Sequence, residues 1–552
     1  MCFSEEVAVV QPAKTNQDRE ASLSRFIGDL VAEIEPLMRT HNEAVWEANV
    51  TGDDGQQARA AEYGTRIRMV FARREPYGYL CGLRDAGGVA DERLARQLEL
   101  LIDAHRAQQL PADLIERTVR MEKALEGRFN AFRAELDGRR VTDNEIRMIL
   151  HGSDDVGQRR RAWEASKQIG ASVAGDLLDL VRLRNQGARE VGFDNYYEMM
   201  LTLDELDEGE LFEVLDRLER GTRAPFQRYK SALDAGLAAR FGVDAAALRP
   251  WHYADPFFQE APPSDVNLDP RFEGKNLEHI TRRFYEAIGF EIDDILERSD
   301  LYEKEGKCQH AFCMSMDREA DVRVLCNVRS TAHWMNTMLH EFGHAVYDKY
   351  IDRSLPFLLR EPAHMFATEA SAMLFDRLSH DAAWLERYAG LPAEEAQALA
   401  RRIQEAVRAK LLVLTRWCLV MCHMERALYR DPSANLNTVW WELVERFQMV
   451  PRPEGREGPD WASKIHFTVA PVYYQNYMLG EIMASQLERH LVEEVMGGPE
   501  ARARYVSDPA VGRWLTDNLY RHGRSRNWRD TLRTATGRAL DPEAFVRELA
   551  GS

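Results

Sequence analysis

The sequence predicts a mainly α-helical fold, and three observations carry that prediction. Apolar residues recur every three or four positions over most of the chain, with charged faces between them. Capping residues stand where those periodic runs begin. Only one segment alternates in polarity as a pair of strands would. At 552 residues the chain exceeds the size at which a single core stops growing, so at least two helical subdomains are expected.

Residues 1–20 read as an N-terminal tail. Its opening, MCFSEEVAVVQPAK, has two acids where a secretory leader needs positive charge, and its apolar run is only Val7 to Val10. A cytoplasmic location is therefore expected. Residues 21–247 form an N-terminal helical subdomain, with helices read over Ala21–Asn49, Asp91–Gln108, Ala112–Leu136 and Asn144–His151. Asp143 and Asp207 are its clearest caps. Residues 248–271 hold Pro250, Pro256, Pro262, Pro263 and Pro270, which cannot continue a helix, and read as an ordered connection. Residues 272–552 form the second subdomain. Within it, Ala311 to Asp317 and Asp321 to Val328 flank Arg318-Glu319-Ala320 as a small β-hairpin, and Ser330-Thr331 caps the helix that follows.

Composition narrows the function. A formal charge of −18 opposes a nucleic-acid partner, because nothing offsets repulsion from phosphates. The longest apolar runs fall well short of the roughly 20 residues of a membrane span, so no membrane partner is expected. The seven cysteines (Cys2, Cys81, Cys308, Cys313, Cys326, Cys418 and Cys422) form no zinc-ribbon pattern. Cys418 and Cys422 share a helical face and read as buried thiols.

The chemistry concentrates at Thr-Met-Leu-His-Glu-Phe-Gly-His-Ala-Val-Tyr, from Thr337. On a helix, His340 and His344 project from one face a turn apart, so two ring nitrogens can reach one zinc ion. Glu341 sits beside the first histidine, placed to act as a base on water rather than as a ligand. Met338, Leu339, Phe342 and Val346 suit a buried helix around that polar site. A catalytic zinc wants a third protein ligand. Tyr347 excludes the pattern in which a glycine and a third histidine follow closely. Glu369 is favoured, since it opens a helix-forming run with small residues that let two helices approach; Glu361 and His364 are the rivals.

Taken together, Cys308, the hairpin, His340-Glu-Phe-Gly-His344, Leu355-Pro-Phe-Leu-Leu-Arg-Glu361 and Thr368-Glu369-Ala370 resemble the angiotensin-converting enzyme family. They also resemble the related thimet oligopeptidase and oligopeptidase F families, all gluzincin zinc peptidases. The resemblance is best over residues 250 to 490. It implies one zinc ion per chain on His340, His344 and Glu369, two helical subdomains around a deep channel, and an N-terminal helical layer as its lid. Residues 464 to 477, Lys-Ile-His-Phe-Thr-Val-Ala-Pro-Val-Tyr-Tyr-Gln-Asn-Tyr, match a second family segment. By that match, His466 and Tyr477 stabilise the oxyanion, with Tyr474 nearer the end of the substrate. Lys464, Tyr474 and Gln259 match the residues that hold a peptide's C-terminal carboxylate, and backbone near His310 and Ala311 aligns the peptide as an added strand.

The sequence departs from the family in three places. Gln475 or Asn476 occupies the position of a chloride-binding arginine, which argues against chloride activation. Met373 replaces an aspartate that orients a zinc histidine, leaving Asp376, Asp348 or a backbone carbonyl to serve. Cys308 and Cys326 match a disulfide pair of the family, but a reducing cytoplasm favours thiols. The expected function is a zinc-dependent peptidase on short unstructured peptides, either an oligopeptidase or a peptidyl-dipeptidase. The alternatives are a metallocarboxypeptidase releasing single residues and a non-catalytic peptide-binding protein that keeps the zinc site.

Overall fold

A computed structural model describes residues 15–262 and 266–551; Cys2, Val7 to Val10 and Pro263 lie outside them. Helices dominate, and strands among the described residues are confined to two antiparallel hairpins. No helix of the described residues is long and apolar enough to cross a membrane.

The chain forms two compact units, each assembled from separated stretches. One comprises the described residues up to Gln109 with Asn267–Ala400 and Met483–Leu540. The other comprises Leu110–Val266, Arg401–Ile482 and the residues from Asp541 on.

In the first unit, the helix Asn16–Thr51 starts on Thr15, whose hydroxyl accepts the Asp18 N–H. Leu23, Ile27, Leu30 and Ile34 recur at helical spacing and bury against Leu80, Leu83 and the Leu98–Ile102 turn. One end of the same helix sets Trp46 and Val50 on Met316 and Leu325 of a hairpin. That hairpin pairs β3 (Phe312–Ser315) with β4 (Val322–Leu325), Phe312 opposite Leu325 and Ser315 opposite Val322. Lys307, fully covered, ties the hairpin to the chain before it: its ammonium donates to Asp300 Oδ1 at 2.7 Å and to the Tyr302 and Cys326 carbonyls.

In the second unit, Asp207 caps the helix Glu208–Phe241 by accepting the Glu210 N–H at 2.8 Å. Two readings need correction here. The run Ala112–Leu136 is not one helix: the helix stops at Ala131, and β1 (Ala134–Leu136) pairs with β2 (Arg139–Val141). The turn is Asp137-Gly138, both at positive φ (53° and 77°), the backbone a tight hairpin requires. The next helix is capped by Thr142, not Asp143, in a reciprocal box with Glu145.

Candidate metal centre and lysine cluster

In the first unit, the helix Ala332–Lys349 begins on Thr331, whose hydroxyl accepts the Trp334 N–H. Met338, Leu339, Phe342 and Val346 are fully buried, which fixes the helix's rotation and turns His340 and His344 to one side. The helix Met365–Asp376 crosses it at Gly343. A Cβ added there would lie 2.6 Å from the Ala372 Cα and 3.1 Å from the Phe375 ring, so only glycine permits this approach. The Ser371 hydroxyl then donates to the Gly343 carbonyl at 3.0 Å.

This packing brings Glu369 to the histidine pair. Its Oε2 lies 3.7 Å from His340 Nε2 and 3.9 Å from His344 Nε2. Ligand atoms of the three residues lie within 4.8 Å of one another. Tetrahedral zinc with bonds near 2.1 Å sets its donors about 3.4 Å apart, so the two Glu369 separations fit with shifts of a few tenths of an ångström. The outer nitrogens are tied as well. His340 Nδ1–H donates to Asp376 Oδ2 at 2.8 Å, and His344 Nδ1 lies 2.8 Å from the Thr368 hydroxyl. Both contacts leave Nε2 toward Glu369.

Electrostatics follow from burial and crowding. Burial disfavours the His340 cation, but Asp376, Glu341 and Glu369 outweigh it and hold the ring's pKa up to about 9. His344, buried beside that charge, is pushed down to about 3. Glu341 is 8% exposed, and burial, with Glu369 and Asp376 adding to it against His340, raises its carboxyl to about 7.

The rivals for the third ligand have other partners. Glu361 forms ion pairs with Arg318 and, at 3.2 Å, with Arg524. His364 caps the helix Met365–Asp376, its Nδ1 accepting the Phe366 N–H. Ala311 is half-buried and His310 exposed, both just before β3, whose one neighbour among the described residues is β4. Cys308 and Cys326 are free thiols.

In the second unit, Lys464 donates to Gln259 Oε1 at 2.6 Å. Only 8% of it is exposed, its ammonium facing the Phe257 and Trp417 rings at 5.3 and 5.1 Å. Burial lowers its pKa to about 8 despite Asp255 nearby. Gln259 is presented by a turn that Asp255 organises: this buried carboxylate accepts the N–H groups of Phe257, Gln259 and Glu260. The Tyr474 hydroxyl accepts from Trp417 Nε1 at 3.2 Å. The His466 ring centroid lies 5.0 Å from that of Tyr474, which is 5.6 Å from Tyr477. His466 is held near pKa 4 by burial and by Lys464, and its buried Nδ1 has no hydrogen bond among the described residues, which leaves Nε2 for polar contacts. Tyr477 is 37% exposed. The structure thus gathers Lys464, Gln259, His466 and both tyrosines in one unit.

Sequence reasoning missed Thr368, Asp255 and Trp417. Thr368 stands immediately before Glu369, and that adjacency was the one available signal; nothing in the sequence marks the other two.

Residues 296–551, which contain the hairpin, both histidines and Glu369, match Peptidase family M3. Residues 17–228 match Angiotensin-converting enzyme. Over those stretches the chain is similar to both peptidase families. Carboxypeptidase 1 of Bacillus subtilis is 21% identical over 312 residues, 52% of this chain and 60% of that protein. Thermostable carboxypeptidase 1 of Pyrococcus furiosus is 22% identical over 228 residues, 38% of this chain and 45% of that protein. The matches thus span about half the length of these relatives.

Proposed function

We propose that the chain is a zinc-dependent peptidase acting on short peptides, with one zinc ion held by His340, His344 and Glu369. The convergence of those three side chains, with Glu341 on the helix of the two histidines, carries the reading. Zinc bound there supplies Lewis acidity to the scissile carbonyl and acidifies water. The chain's own residues do the rest. Glu341 takes a proton from the attacking water and returns it to the leaving amine. His466 and Tyr477 donate hydrogen bonds to the charge growing on the carbonyl oxygen, and Tyr474 acts nearer the substrate's end. These roles rest on the family resemblance of residues 464 to 477.

Lys464 and Gln259 hold the peptide's C-terminal carboxylate, and the β3 edge from His310 and Ala311 aligns an extended chain. A buried lysine whose ammonium has, among the described residues, a single hydrogen bond, to Gln259, favours release from the C-terminus, and hence a peptidyl-dipeptidase over an endo-acting oligopeptidase. The similarity to two carboxypeptidases favours a second reading, release of single residues.

Mass spectrometry of a ten-residue peptide, as free acid and as amide, with and without chelator, separates these. Chelator-sensitive loss of dipeptides from the free acid alone is expected. Single-residue loss would favour the second reading, internal cuts in both forms an oligopeptidase, and no cleavage by zinc-loaded protein a binding role.

A further inference from the structure

The link between His466 and Tyr474 is held in a manner that its length does not require. After the short helix His466–Val469, Val472 adopts φ 56°, the left-handed region that a β-branched residue rarely occupies. Such a conformation persists only where the surroundings over-determine it. Here they do. Glu425, 2% exposed, accepts the Val472 N–H at 2.8 Å, and buried Gln475 donates to the Val472 carbonyl at 2.6 Å. Arg184, 3% exposed, donates to the carbonyls of Phe467 and Thr468 at 2.9 and 2.6 Å. Its remaining bonds go to the Tyr429 hydroxyl and to Glu122. Glu425 and Tyr429 lie one turn apart on the helix Ala393–Arg430, so one rigid element anchors both sides of the link.

We propose that Glu425 and Arg184 are positioning residues, which fix the directions in which His466, Tyr474 and Tyr477 leave the backbone and act through those side chains. This deepens the peptidase reading and rests on it. A purely structural role would move stability; a positioning role moves turnover while leaving metal and substrate binding in place. Displacing a donor by about 1 Å costs on the order of 100-fold in rate.

The test uses full-length zinc-loaded protein carrying Glu425→Leu, Glu425→Gln or Arg184→Lys. Turnover and KM are measured on a fluorogenic peptide, and zinc content and melting temperature are measured alongside. Fluorotyrosine placed at 474 or 477 is followed by ¹⁹F NMR. Glu425→Leu is expected to lower kcat by about 100-fold with KM within about twofold, and to shift both fluorotyrosine resonances. Glu425→Gln, whose amide oxygen still accepts the Val472 N–H, should restore wild-type values. If Glu425→Leu does not fold, Arg184→Lys decides, since the three N–H donors of an ammonium cannot serve all four acceptors that the guanidinium reaches. Unchanged kcat in folded variants, or lost activity with unmoved fluorotyrosine resonances, overturns the proposal. Should the wild-type protein prove inactive on peptides, the peptidase reading fails by itself, and the resonance shifts alone judge the positioning.

Discussion

The donor set around His340 and the polar cluster around Lys464 are built on opposite principles. At the first, each histidine has its outer nitrogen engaged, by Asp376 and Thr368, and its inner nitrogen faces Glu369. At the second, among the described residues, a buried ammonium makes one side-chain hydrogen bond and a buried ring nitrogen makes none. Burying polar groups short of partners is costly, and the cost is tolerated where a ligand completes the set. On the proposed function, the contrast teaches that an ion-binding set is served by internal completeness, whereas a substrate-binding set is served by groups left short of partners.

The comparison can be broken in several ways. Glu341→Gln should lower kcat by about 10²–10⁴-fold while zinc content is unchanged, because the amide cannot accept a proton. Full activity in that variant would remove Glu341 as base. Glu369→Ala should weaken zinc binding by more than about 100-fold in a chelator titration, beyond the loss expected from an outer contact. Equal affinity there, with loss in Glu361→Ala, would transfer the ligand role. Thr368→Ala and Asp376→Asn should each cost about 10–100-fold in zinc affinity, since they free a ring to turn.

Lys464 sharpens the second half of the contrast. It is charged below about pH 8 and neutral above. KM for free-acid peptides should therefore rise as pH passes 8, by about tenfold per unit once the lysine is mostly neutral, and KM for amidated peptides should not follow it. A parallel rise in both would deny Lys464 its role. The smallest effect concerns the scaffold: Gly343→Ala should destabilise the protein by about 1–3 kcal/mol, read as a lowered melting temperature, because the helices must part.

Local pattern made much of this legible. The four-residue spacing of His340 and His344, the Thr331 and Asp207 caps, and the alternation of β3 and β4 are short-range signals. The Asp137-Gly138 turn was equally local, but the helical periodicity before it concealed the hairpin. What sequence alone cannot supply are contacts set by packing. Glu361 and Glu369 both follow the histidines at plausible spacing. Their different partners come from the crossing at Gly343 and from Arg318 and Arg524, all distant in sequence from one or both of them. Asp255 looks like any loop acid until its three N–H donors are seen.

That Asp255 turn has a kinetic corollary. A loop that must find its shape after a ligand arrives slows capture and makes it strongly temperature-dependent. Gln259 is presented ready-made, because the turn beneath it is already cross-braced in the free protein. If Lys464 and Gln259 hold a peptide's end as proposed, its capture should proceed at the speed of encounter, with selectivity expressed in how long the peptide stays rather than in how quickly it arrives.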